Sequence, residues 1–146
     1  MLFDATTPGT GKGLLCSLIS WVVAGRAFPT RSYIHEDVEF AKGILATATQ
    51  GTRMGLFDNV EGCFGNATLK NVLTTTTYGG RVSGHTKEVD VPIYTCWYAT
   101  ANNVRLTSDM DRRVCAVRLS SDVERPEERT DFKIPNLLGH VIANRQ

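Results

Sequence analysis

A short strand-like segment, Leu2-Phe3-Asp4-Ala5, runs directly into Thr6-Thr7-Pro8-Gly9-Thr10-Gly11-Lys12-Gly13, and a helical pattern starts one residue later. Leu14, Leu15, Leu18, Ile19, Val22 and Val23 recur at three- and four-residue intervals, and Gly25 supplies a stop. That succession predicts a strand, a glycine-rich loop and an amphipathic helix, and it sets the frame for everything downstream.

The rest of the chain continues the alternation. Residues 31–34 suit a second strand. Val38, Ala41, Leu45 and Ala48 mark a helix that ends at Gly51. Residues 54–57 form an apolar run ending at Asp58, and residues 93–100 a longer one ending before Asn102. Both read as buried strands with polar residues at their carboxyl ends. Between them, residues 67–73 predict a helix with Leu69, Val72 and Leu73 inward. Residues 81–83 and 88–91 predict a β-hairpin around the tip Gly84-His85-Thr86-Lys87. Residues 114–119 add a strand and residues 136–144 a last helix, while the charged stretch 124–131, with Pro126, reads as an exposed connection. Strands alternating with helices imply a three-layer α/β fold: a mostly parallel central sheet flanked by helices, with an inserted hairpin and ligands at the strands' carboxyl ends.

Composition narrows the class. With 146 residues, 42% of them apolar and 21% charged, the chain supports one core. Its longest apolar run, residues 93–99, falls far short of the roughly 20 residues that span a bilayer. No basic region followed by an apolar stretch opens the chain, so a cytoplasmic protein with no membrane partner is expected. A net charge of +1 supplies no global field, and any nucleic-acid contact must be local. Cys16, Cys63, Cys96 and Cys115 fall in no paired spacing and read as reduced, mostly buried thiols.

The chemistry is carried by the loop. Consecutive backbone N–H groups at a helix N-terminus bind polyphosphate because the donors and the helix dipole converge on one point. Gly9 and Gly11 permit that backbone, and Lys12 reaches the outer phosphates. Thr7, Pro8 and Thr10 complete the loop. Gly13 stands where a Ser or Thr hydroxyl ordinarily ligates Mg2+, so the metal must be held through water and another residue, or weakly. Asp58, at the end of its strand, is the candidate carboxylate for that ion. Asn59 follows where a water-polarising glutamate often stands. Asparagine orients water but accepts no proton, which leaves that role to Glu61 or Glu36. Asn102 ends the strongest strand candidate and could touch the terminal phosphate or its attacking water. Arg112 and Arg113 precede the last core strand, where a guanidinium could reach a phosphate across a subunit boundary.

Taken in order, Thr7 to Gly13, Leu56-Phe57-Asp58-Asn59, the hairpin of residues 81–91, Thr100-Ala101-Asn102 and Asp111-Arg112-Arg113 resemble the ATPase domain of superfamily 3 helicases and the primase-associated ATPases of phages and plasmids. The resemblance covers nearly the whole chain and implies an AAA+ type P-loop fold. It also implies ATP and Mg2+ as ligands, a homo-hexameric ring and a motor that moves on DNA, often joined to a primase. By this likeness Lys12 is the Walker A lysine, Asp58 the Walker B aspartate, Asn102 the sensor asparagine, and Arg112 or Arg113 the arginine finger. The hairpin then points into the ring channel, with His85 and Lys87 contacting DNA and Arg81 nearby. The chain is expected to be truncated at both ends, lacking an upstream adenine-binding segment and a complete helical lid. A loading or remodelling ATPase without unwinding activity, or a nucleotide-binding domain that has lost hydrolysis, are the alternatives.

Overall fold

Successive residues of the strands bury themselves in opposite directions, and this sets the architecture of the computed structural model, which describes residues 1–81 and 88–145. In chain order the elements are β1 (Leu2–Ala5), α1 (Lys12–Ala24), β2 (Thr30–Arg31), α2 (Asp37–Thr49), β3 (Met54–Val60), β4 (Cys63–Phe64), α3 (Ala67–Val72), β5 (Thr77–Arg81), β6 (Glu88–Pro92), β7 (Cys96–Asn102), β8 (Arg105–Leu106), β9 (Ala116–Leu119) and α4 (Leu137–Asn144). A 3-10 turn occupies Pro126–Glu128. Five strands make one sheet in the order β2-β3-β7-β1-β9, every neighbouring pair parallel.

Leu2, Phe57, Ala99 and Ala101 face one side, where Phe40, Ile44, Leu45 and Ala48 of α2 and Leu69 and Val72 of α3 cover them. Phe3 and Leu56 face the other, with Cys16 of α1 and Phe28. A sheet covered on both faces explains why its strands lack polar alternation. Each large side chain fully buried this way stabilises the fold by about 1.5–3 kcal/mol. Phe57 stacks on Trp97 with ring centroids 4.8 Å apart, and Gly55 leaves room for that indole, since a Cβ there would lie 2.8 Å from it. Helix α4 packs on α1. No helix among the described residues is long and apolar enough to cross a membrane.

The hairpin forms outside the main sheet. β5 and β6 pair antiparallel from Thr77 opposite Pro92 to Arg81 opposite Glu88, and lean on α2, with Gly80 against Leu45. It begins earlier than the pattern around residues 81–83 suggests, because Gly79 and Gly80 hide the strand from a period-two reading. β7 starts at Cys96 and not at residue 93; Ile93 is buried in the connection that precedes it. The parallel pair β4 and β8, two residues each, is too short to leave a periodic signal. The cysteines require a correction: Cys16 alone is buried, and Cys63, Cys96 and Cys115 are exposed. Cys96 opens β7, Cys115 directly precedes β9, and Cys63 lies in a two-residue strand, so the covering helices do not reach them.

Because the five strands are parallel, their carboxyl ends share one edge. The loop after β1, the end of β3 and the end of β7 meet there.

Candidate functional site

Helices α2, α3 and α4 are capped by side chains, from Glu36, Asn66 and Asn136 respectively. Helix α1 is not. Its N-cap is Gly11, in the left-handed region at φ 87°, with no side-chain cap and no acidic residue in the first turn. Gly9 is also left-handed, at φ 77°. Thr7, Pro8, Gly9, Thr10 and Gly11 therefore wrap the start of α1 so that its first N–H groups, free of any side-chain acceptor, face outward. Such groups and the helix dipole favour an anion.

Lys12 is the first residue of α1 and is only 8% exposed. Its Nζ donates to Asn102 Oδ1 at 2.8 Å and to Thr10 Oγ1 at 3.3 Å. Burial pushes its pKa below the usual lysine value, partly offset by the nearby Asp4 carboxylate. Its direct hydrogen-bond partners are neutral oxygens, so no carboxylate pairs with the ammonium at hydrogen-bond distance. Gly13 follows, and a Cβ built there meets nothing within 4 Å.

Asp58 and Asn59 sit in a bulge of β3. Phe57 pairs with Ala99 but Val60 with Ala101, so one extra residue is accommodated, with Asn59 at φ 53°. Bulges re-aim side chains, often beside active sites. Thr100, 3% exposed, locks this one: its hydroxyl donates to Asp58 Oδ1 at 2.5 Å and accepts from the Asn59 N–H at 2.8 Å. Asp58 also helps raise the Cys16 thiol pKa to about 11, second to burial. Among the described residues no group of three or more His, Cys, Asp or Glu side chains could hold a metal alone. Magnesium, which takes one or two carboxylates together with phosphates and waters, fits an exposed Asp58 with one oxygen committed to Thr100. Glu61 accepts from Asn59 Nδ2 at 3.3 Å. Glu36 is occupied as the α2 cap, accepting from the N–H groups of Val38 and Glu39.

The arginines lie elsewhere. Arg112 and Arg113 precede β9, whose first residue aligns with Leu2 at the start of β1. The four residues of β1, about 13 Å of strand, separate them from the loop that follows Ala5. Both pair with Asp109, whose carboxyl they hold below the usual range. Arg113 also donates to the Lys70 carbonyl and is 22% exposed at its side chain, whereas Arg112 is 72% exposed. In one chain neither meets Lys12. Arg81 is exposed at the end of β5, and His85 and Lys87 lie outside the described residues.

Sequence reasoning missed a cavity of about 370 Å³ beside Gly9, Thr10 and Gly11. Its walls include Leu14 and Leu18 of α1, with Pro126, Glu127 and Phe132 from the segment after β9. Leu14 and Phe132 are 44% and 49% exposed because nothing covers them. The Glu127 carboxylate presses on Gly9, where a Cβ would collide with it. No local pattern reveals such a wall, since its halves lie more than a hundred residues apart. Thr100 was within reach: a hydroxyl inside an apolar strand beside a candidate carboxylate is a signal.

No family model matches the chain, and no curated protein does. The fold is that of two solved chains, each described as the A form apo structure of the NrS-1 C-terminal region, one of them spanning 305–718. The TM-scores are 0.63 and 0.58, and the identity is 18% in each case. The match covers 98% of this chain and 33% of each of those, so the chain spans about a third of their length.

Proposed function

We propose that this chain is the ATP-binding and hydrolysing core of an AAA+ type P-loop ATPase, acting as the motor of a phage- or plasmid-type replication helicase or primase-helicase. One observation carries the reading: Lys12 is buried at the head of an uncapped helix, with its ammonium on Asn102, and the loop residues just before it line an open cavity. The first N–H groups of α1 and Lys12 take the phosphates. Leu14, Leu18 and Phe132 give the base and ribose an apolar wall.

When bound, Mg2+ would supply neutralisation of the charge on the outer phosphates. Asp58, oriented by Thr100, is the protein group that would hold it, through water. Asn102 binds the terminal phosphate or orients the attacking water, and Glu61, beside Asn59, accepts its proton. Arg112, the more exposed of the pair, serves a nucleotide held by a neighbouring copy in a homo-hexamer, which is why it does not reach Lys12 within one chain. Arg81, His85 and Lys87 carry the DNA contact, a ring of positive charge in the assembled channel. A primase joined to this core belongs to the same reading.

Calorimetric titration with ATP and Mg2+ tests the core of it. The wild type binds and Lys12→Ala does not; a folded wild type that binds neither ATP nor ADP overturns the assignment. For the motor, substitution of His85 and Lys87 by Ala lowers DNA-stimulated hydrolysis, and absence of any DNA binding by the hexamer overturns that part. Gly13 and Asn59 favour a second reading, a nucleotide-binding module without turnover, which predicts tight binding and no phosphate release.

A further inference from the structure

Asp4 is the only carboxylate among the described residues that is buried, at 7% exposure, and the reading above gives it no task. A buried carboxylate is costly unless it is paired. Its partner is Arg118, directly opposite on β9, with Nη1 3.6 Å from Asp4 Oδ2. The same guanidinium donates through Nη2 to Asn103 Oδ1 at 3.1 Å. A planar fork that spans two acceptors fixes their relative position in a way a lysine cannot.

Asn103 is bound on every side. It is left-handed at φ 52°; its N–H donates to the Ala5 carbonyl at 3.0 Å and its Nδ2 to the Thr6 carbonyl at 3.2 Å. The next N–H, from Val104, donates to Asp4 Oδ1 at 3.3 Å. Arg118 thus closes a ring of contacts that ties the turn after β7 to the strand entering the phosphate loop. The residue that turn presents to Lys12 is Asn102.

We propose that Arg118, braced by Asp4, is a positioning residue that acts through Asn103 to hold Asn102 against Lys12, and so sets the preference of the site for a nucleoside triphosphate over a diphosphate. This rests on the nucleotide-binding reading. The loop and helix donors serve the inner phosphates whatever Asn102 does. The terminal phosphate alone needs the Asn102 amide and the Lys12 ammonium together. Loosening the turn therefore weakens triphosphate binding selectively, whereas a merely structural role for Arg118 would weaken both ligands alike.

The test is calorimetric titration of the full chain with a non-hydrolysable ATP analogue and with ADP, both with Mg2+, for the wild type, Arg118→Ala, Arg118→Lys and Asn103→Gly. Glycine accepts the positive φ at 103 and removes only the amide. The expected result is a loss of about tenfold in analogue affinity for Arg118→Ala and Asn103→Gly, the scale of one charge-assisted hydrogen bond, with ADP affinity within twofold of wild type. Arg118→Lys recovers part of the loss. An unchanged ratio of the two affinities in folded Arg118→Ala overturns the proposal; if that variant fails to fold, an unchanged ratio in Asn103→Gly does so. A wild type that binds neither ligand removes the functional reading itself. A wild type whose binding depends on Lys12 but not on Arg118 leaves that reading standing and removes only this inference.

Discussion

The Lys12 ammonium donates to Asn102 Oδ1 across 90 residues of sequence, joining the head of α1 to the end of β7. This bond and the one to Thr10 Oγ1 occupy two of the three ammonium donors and leave the third for an anion. Burial lowers the Lys12 pKa below 10.5. Such a group binds fewer protons folded than unfolded between the lowered value and 10.5, so its contribution to stability rises with pH across that window. Anion binding has the opposite sense, because it needs the charged form. Nucleotide affinity is expected to fall as pH climbs through the lowered value, beginning below pH 10.5. A pH series of titrations checks it, with Lys12→Arg, charged throughout, as the flat control.

Restoring a hydroxyl at position 13 should be structurally free. Beyond its chain neighbours and the backbone of its own helix, no atom lies within 4 Å of a Cβ there, and Gly13 does not have a left-handed φ. Gly13→Thr is expected to keep nucleotide affinity within about twofold and to raise Mg2+-dependent phosphate release at least tenfold, the scale of about 1.4 kcal/mol in the barrier. A rate that stays negligible with binding intact favours the module without turnover.

Glu127 presses a carboxylate against Gly9, which the proposed nucleotide site places beside the phosphates. Like charges at that range repel, and the 3-10 turn that carries Glu127 must yield when polyphosphate enters. Glu127→Gln is expected to tighten ATP binding several-fold at low salt and less at high salt, since the group is exposed and screened. Equal affinities at both salt concentrations would show that the turn has no electrostatic part in binding.

Thr100 serves two partners with one hydroxyl, Asp58 and the Asn59 N–H. Thr100→Val keeps the shape and removes both bonds, leaving the Asn59 backbone donor without its partner and returning the exposed Asp58 oxygen to water. The expected cost is about 1–3 kcal/mol in chemical denaturation, together with weaker dependence of nucleotide affinity on Mg2+. Loss of stability alone, with the Mg2+ dependence intact, would detach Thr100 from the metal-binding role proposed for Asp58.

Much of the fold is legible in local sequence because its signals are local. Gly25 after α1, the apolar spacing of α2 and the apolar runs of β3 and β7 each report one face or one terminus, and the observed elements differ mainly at their ends. The glycine-rich loop is legible for the same reason, since Gly9, Gly11 and Lys12 lie within one turn of chain at the head of α1. What local sequence omits is who meets whom. Lys12 with Asn102, Thr100 with the β3 bulge, Arg118 with Asp4 and Glu127 over Gly9 all join segments whose separation carries no periodic trace. The sequence by itself determined the alternation of elements and the glycine-rich backbone that opens α1. Only the tertiary structure decided that Glu36 caps a helix while Glu61 stands beside Asn59, that the arginine pair lies at the far end of the sheet, and that a cavity opens beside the loop. The physical reason is that strand order and register decide which distant side chains share an edge, and those follow from packing the whole sheet between its helices.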